Sequence, residues 1–151
     1  MKIRKYEESD AEEKAEVLRK SVKEIASEDY SKQEIEVWSD VEVEEDPLPE
    51  EKVRYVAIED EKIVGFGEYN REENEVTGLY VHPDYTGNGI GEKLLEKVEK
   101  NAKEHGLDIL TCLSTVTAKD FYQKHGYKIV EETTHQMEDQ NLTVYKMEQE
   151  L

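Results

Sequence analysis

The stretch Val81-His82-Pro83-Asp84-Tyr85-Thr86-Gly87-Asn88-Gly89-Ile90-Gly91-Glu92-Lys93-Leu94-Leu95 decides how this chain is read. Its three glycines lie between an apolar run and a long helical pattern. Glycine turns the chain sharply and lets backbone N–H groups approach a ligand with no Cβ in the way. A helix N-terminus adds unpaired donors and a partial positive charge, so the two together make an anion site suited to phosphate. Two phosphate motifs are excluded. A Walker A loop ends Gly-Lys-Ser/Thr, whereas Gly91 is followed by Glu92 and Lys93. The dinucleotide fingerprint needs glycine at position 92, which is Glu92. Three glycines also serve a plain turn and helix start, and the segment alone does not separate these readings.

Downstream, Ile90, Leu94, Leu95, Val98 and Ala102 share one helical face, and Gly106 closes that helix. An apolar strand at 109–113, a short helix at 118–125 stopped by Gly126, and strands at 127–132 and 142–147 around a polar turn follow. Upstream, alternation predicts strands at 2–6, 54–58, 62–69 and 75–81, the middle two joined as a hairpin. Asp10 with Glu13 predicts a helix start, followed by a face of Ala11, Ala15, Leu18, Val22 and Ile25. Ser31 with Glu34 predicts a second capping box, with Ile35 and Trp38 inward. Residues 39–51, acidic and holding Pro47 and Pro49, read as a mobile loop. The order β-α-α-β-β-β-α-β-α-β-β is that of one mixed α/β domain spanning 1–151.

The chain has 151 residues, with 20 Lys+Arg against 38 Asp+Glu and a net charge of −18. That length fits one domain. No apolar run approaches the ~18 residues a membrane helix needs. The acidic N-terminal segment does not read as a signal peptide, so a cytoplasmic location is expected. Nucleic acids and anionic membranes demand clustered cations, so neither is expected as a partner. The single cysteine, Cys112, lies in an apolar strand and reads as a buried thiol. His105 and His125 fall at helix C-termini and His135 in a turn. No histidine pair has metal-ligand spacing, so no metal is expected.

Val81-x-Pro83-x-Tyr85-x-Gly87-x-Gly89-Ile90-Gly91-x-x-Leu94-Leu95 resembles the acyl-CoA signature of the GNAT (GCN5-related) N-acetyltransferases. Thr86 stands where the family usually has Arg or Gln. Thr115-x-x-Ala118-x-x-Phe121-Tyr122-x-x-x-Gly126-Tyr127 is similar to the family's second conserved segment, with Thr115 where Asn is usual. The resemblance implies a central, mostly antiparallel mixed sheet of about seven strands with about four flanking helices. It also implies a splay between the strand at 75–81 and the strand at 109–113.

It further implies transfer of an acetyl group from acetyl-CoA, used as co-substrate, to an amine acceptor. The backbone across Gly87, Asn88, Gly89, Ile90, Gly91 and Glu92 would hold the pyrophosphate. Leu79, Tyr80 and Val81 would pair with the pantetheine arm as an added strand does, and Thr115 would meet it. Tyr122 falls at the position of the family's general acid. Glu75, Glu68 and His82 are base candidates near the cleft, with solvated surface groups as the plainer reading. Tyr30 and Trp38 lie in the segment that borders the acceptor pocket, though Trp38 equally fits a core position. A non-catalytic acyl-CoA-binding domain on the same fold is the alternative function. Monomer and homodimer are both open. The acids fall on outer helix faces (Glu12, Glu13, Glu16, Glu92, Glu96, Glu99) and read as a solvent coat, which points to high cation concentration as the working condition.

Overall fold

In the computed structural model, residues 1–39 and 48–151 are described, with 25 and 26 described by backbone alone. Among them run β1 (Lys2–Lys5), α1 (Ala11–Ile25), α2 (Lys32–Ser39), β2 (Lys52–Glu59), β3 (Lys62–Asn70), β4 (Glu75–Val81), α3 (Ile90–Glu104), β5 (Ile109–Thr115), α4 (Lys119–Lys124), β6 (Lys128–Met137) and β7 (Gln140–Glu150). The seven strands form one sheet in the order β1-β2-β3-β4-β5-β7-β6. Every neighbouring pair is antiparallel except β4 with β5. The mixed sheet and four helices match the expected architecture. The expected loop at 39–51 lies largely outside the described residues, and Ser39 itself is the last residue of α2.

The parallel β4–β5 ladder is short. It joins Glu75 to Thr111 and Val76 to Cys112, and then the two strands part. On the other edge β4 pairs with β3, and the register shifts between Glu68 and Tyr69. Gly78 faces Glu68 and Val76 faces Tyr69, so Thr77 is the extra residue of a β-bulge. A bulge inverts the alternation of side chains. Glu75 before the bulge and Thr77 within it line the cavity face, and Tyr80 joins that face beyond it, while Val76, Leu79 and Val81 pack with the core against α3.

The main core lies between the sheet and α3. Leu94, Val98, Ala102, Leu110 and Met147 are fully enclosed there. α3 ends in a Schellman motif: Gly106 N–H donates to Lys103 O at 3.0 Å and Leu107 N–H to Ala102 O at 3.1 Å. The Ser31–Glu34 capping box is present in both directions, at 2.8 and 3.1 Å. Asp10 differs from expectation. It closes a short 3-10 turn, takes two hydrogen bonds from Arg4 (2.7 and 2.9 Å) and accepts the Glu7 N–H at 2.8 Å. An ion pair to β1 outcompetes a simple cap here because it also ties the helix start to the sheet edge. Glu13 accepts the Ile63 N–H at 3.0 Å. Glu99 does not belong to the solvent coat, since its carboxylate accepts the Tyr127 hydroxyl at 3.0 Å and burial raises its pKa. His135 lies on β6 opposite Leu142, not in a turn, because the last hairpin runs on to a turn at Glu138.

The β2–β3 hairpin turns at Asp60 and Glu61, whose φ values of 51° and 65° lie in the left-handed region.

Candidate active site

The glycine loop enters α3 through two left-handed residues, Gly87 (φ 81°) and Gly89 (φ 77°), the second being the N-cap of the helix. A Cβ at either position would meet nothing within 4 Å. The space above the loop is therefore open, and the backbone strain rather than crowding selects glycine. Among the described residues no carbonyl accepts from the N–H groups of Gly87 through Glu92. These donors, with the helix dipole behind them, fit a pyrophosphate. Thr86 is turned inward, donating its hydroxyl to Pro83 O at 3.1 Å, and Asn88 donates its amide to Tyr85 O at 3.3 Å. Both side chains shape the turn.

The opened strands make the second part of the site. His82 N–H donates to Val64 O on β3 at 2.7 Å. Backbone groups alternate sides along a strand. Val81 and Leu79 therefore turn theirs to the splay, and Tyr80 turns its own to β3. Of these three expected residues, two present backbone and one presents a side chain. A small cavity of about 70 Å³ fills the splay between β4, β5 and Tyr122.

Tyr122 is held there by the end of α4. Gly126 (φ 94°) donates to Gln123 O at 3.1 Å and Tyr127 N–H to Tyr122 O at 3.0 Å, a second Schellman motif. The Tyr122 side chain is 6% exposed, and burial raises its phenol pKa well above the ordinary value. It stays protonated across neutral pH. Thr115 accepts the Ala118 N–H on its hydroxyl at 3.1 Å, starting the α4 turn, and also lines the splay.

A larger cavity of about 370 Å³ opens on the other face of β4, towards α1 and α2. Tyr80 and Thr115 line both it and the splay. Trp38 stands in its wall, edge-on to Tyr80 (ring centroids 6.4 Å), and donates its indole N–H to the Tyr80 hydroxyl at 3.3 Å. It also belongs to a buried cluster, so the core and pocket readings of Trp38 hold together. Tyr30 is a strut: its hydroxyl accepts the Val116 N–H at 2.8 Å and donates to Thr143 O at 2.8 Å, joining the end of β5 to β7.

The three base candidates are placed differently. Glu68, 5% exposed, is enclosed by cations. Arg54 donates to one carboxylate oxygen, while Thr77 donates to the other at 2.6 Å with Lys52 3.3 Å from it. Burial alone would raise its pKa, yet Arg54, Thr77 and Lys52 together hold it below the usual value. Glu75 lines the cavity, and burial, with the charge of Glu73, raises its pKa against the opposing pull of His135 and Lys146. His82 caps the turn after β4, accepting the Asp84 N–H at 3.1 Å, and is not among the residues lining the cavity. Cys112 is buried and its thiol is pushed up to about 12. Sequence reasoning did not single out Lys14, Lys52 or Arg54 as cavity residues, nor the Tyr80 side chain.

Among the described residues no group of three His, Cys, Asp or Glu is placed to hold a metal. Nor is any helix long and apolar enough to cross a membrane.

The chain and its fold match known proteins. A family model described as an acetyltransferase (GNAT) domain matches residues 26–151. A spermidine N(1)-acetyltransferase from Thermoplasma acidophilum is 34% identical over 145 residues, covering 85% of this chain and 89% of its own. A GCN5-related N-acetyltransferase from Rhodopseudomonas palustris superposes with a TM-score of 0.90 at 26% identity, covering 99% of this chain and 95% of its own. A PaiA N-acetyltransferase from T. acidophilum, solved with coenzyme A, gives 0.80 at 28% identity, covering 99% and 98%. The fold is thus shared with solved N-acetyltransferases, and the chain belongs to the GNAT family of N-acetyltransferases.

Proposed function

We propose that this chain transfers the acetyl group of acetyl-CoA directly to a primary amine seated in the cavity beside Tyr80, with Tyr122 as general acid. The observation that carries this is the continuity of the cleft. The splay beside Tyr122 and the larger cavity share Tyr80 and Thr115 as walls, so thioester and amine would meet across β4.

When bound, acetyl-CoA supplies the thioester carbon and a thiolate leaving group. N–H groups at Gly87 through Glu92 hold its pyrophosphate, and the Leu79 and Val81 backbones align its arm as a strand would. Glu75 is the base: its raised pKa suits proton uptake better than the ion-paired carboxylate of Glu68. It takes the proton of the attacking ammonium, directly or through one water. As the C–N bond forms and the C–S bond breaks, Tyr122 gives its proton to sulfur; the second proton leaving nitrogen returns through water to the Tyr122 phenolate, and Glu75 releases the first to solvent. No covalent enzyme intermediate is needed, consistent with Cys112 being enclosed and protonated.

Thiol release from acetyl-CoA against a pooled amine library tests this reading, with calorimetry of CoA alongside. Amine-dependent release is expected. Tight CoA binding with no release from any amine would replace transfer with a sensing role.

A further inference from the structure

We propose that the Tyr80 hydroxyl, held in place by the Trp38 indole, donates a hydrogen bond to the acetyl oxygen as negative charge develops there during transfer; this rests on the acetyltransferase reading above. Tyr80 stands where the parts of the cleft meet. It borders the 370 Å³ cavity, the 70 Å³ splay beside Tyr122, and a third space of about 170 Å³ against Ser21 and Val22 of α1. The carbonyl carbon is where amine and thioester meet, so a donor for its oxygen belongs at that junction. Thr115 borders the same three spaces, but its hydroxyl oxygen is turned to the Ala118 N–H at the start of α4.

The phenol is held as a fixed donor needs to be. The Trp38 indole N–H donates to its oxygen at 3.3 Å. An indole nitrogen only donates, so the Tyr80 proton is directed elsewhere, and among the described residues no protein group accepts it. Phe66 packs against the Tyr80 ring with centroids 5.4 Å apart, and Trp38 is braced in turn by Tyr30, edge-on at 5.4 Å. Burial raises the Tyr80 phenol above its ordinary value, so the proton is present at neutral pH. A hydrogen bond accepted by a hydroxyl also strengthens the one that it gives. As the amine lone pair forms the C–N bond, the carbonyl π pair moves to oxygen, where the Tyr80 O–H stabilises it and keeps its own proton. That pair re-forms the carbonyl as the C–S bond breaks, and the sulfur takes its proton from Tyr122. The two phenols divide the work: one holds charge on oxygen, the other protonates the leaving group.

Infrared difference spectroscopy of bound acetyl-CoA, edited by isotopic labelling of the acetyl carbonyl, reads this contact without turnover. The carbonyl stretch is expected at lower frequency in the native chain than in Tyr80→Phe, with Trp38→Phe between them. In steady-state kinetics Tyr80→Phe should lower kcat by about 10²–10³-fold, the usual worth of one such donor, with amine KM and CoA affinity unchanged. Because Trp38 acts through Tyr80, the double variant should be no slower than Tyr80→Phe alone. Tm and CoA calorimetry certify each fold. A band that does not move in Tyr80→Phe would overturn the proposal, whatever happens to kcat. So would a raised amine KM with kcat unchanged, which marks packing of the acceptor. Additive losses in the double variant would overturn the part given to Trp38. A Tyr80-dependent band with no release from any amine would uphold the contact and remove the transfer reading.

Discussion

Tyr127 stands edge-on to Tyr122, ring centroids 5.3 Å apart at 67°, and ties its own hydroxyl to Glu99 on α3. The contact is the hydrophobic partner of the Schellman motif that ends α4. It fixes Tyr122 through helix-end geometry, leaving the phenol of Tyr122 for the cleft. Tyr122→Phe keeps the ring and removes the proton. Turnover is expected to fall by about 10²–10⁴-fold, the usual worth of a general acid, with CoA affinity unchanged. Steady-state kinetics and calorimetry check both halves, and a full-rate variant would remove Tyr122 as the acid.

Gly126 makes that geometry possible. Its φ is 94°, and a Cβ there would lie 2.2 Å from Nε2 of Gln149, which donates to His125 O at 2.8 Å. Gly126→Ala is expected to destabilise by about 1–2 kcal/mol from the left-handed backbone alone. Loosening of α4 should also lower kcat, read by thermal melting and by turnover of the folded fraction.

The cradle at Gly89 separates strain from obstruction. Gly89→Ala should lower stability by about 1–2 kcal/mol and weaken CoA modestly, since a Cβ meets open space. Gly89→Glu places a carboxylate where phosphate would sit, and CoA affinity is expected to drop at least about 100-fold, more than the strain alone explains. Titration of both variants with CoA distinguishes the two effects, and an unchanged Glu variant would refute the loop as the phosphate site.

Glu75 sets a pH dependence. A carboxylate with a raised pKa is protonated, and useless as a base, to higher pH than normal. In kcat at saturating substrates, activity should rise with pH through a limb lying above the ordinary carboxylate range. Glu75→Gln should abolish that limb and lower the plateau. Tyr122 should add no descending limb below about pH 10, because its pKa is displaced upward. Superimposable profiles would exclude Glu75.

The outer acids predict salt dependence. Glu12, Glu16, Glu92 and Glu96 are exposed. Raising KCl from 0.1 to 1 M shortens the screening length from about 10 to about 3 Å. Each kcal/mol of relieved repulsion is worth about 2–4 °C in Tm for a chain of this size. A Tm that fails to rise would contradict the coat reading.

The glycine turn, the α3 face and the Ser31–Glu34 box were legible because each is local: a few residues fix a backbone torsion or a helical stripe. The cavity was not. Lys14 sits among charged residues on α1 and looks solvated, yet packing against the sheet encloses it over Phe66. Arg54 and Glu68 meet only once the hairpin register is known. Tyr80 reaches the cavity because Thr77 is an extra residue in β4, and an inversion of alternation leaves no mark in composition or periodicity. Glu99 was misplaced for a similar reason, since its partner Tyr127 arrives from a different element.

The hairpin end at Asp60 and Glu61 has an engineering consequence. Asn-Gly is the easy pair where two successive residues need positive φ. Two acids stand there instead, each strained by about 1–2 kcal/mol. This tip is remote in sequence from the glycine cradle and from α4. It is a place where robustness can be recovered by Asn-Gly replacement, and where the chain has held negative charge at the expense of conformational ease.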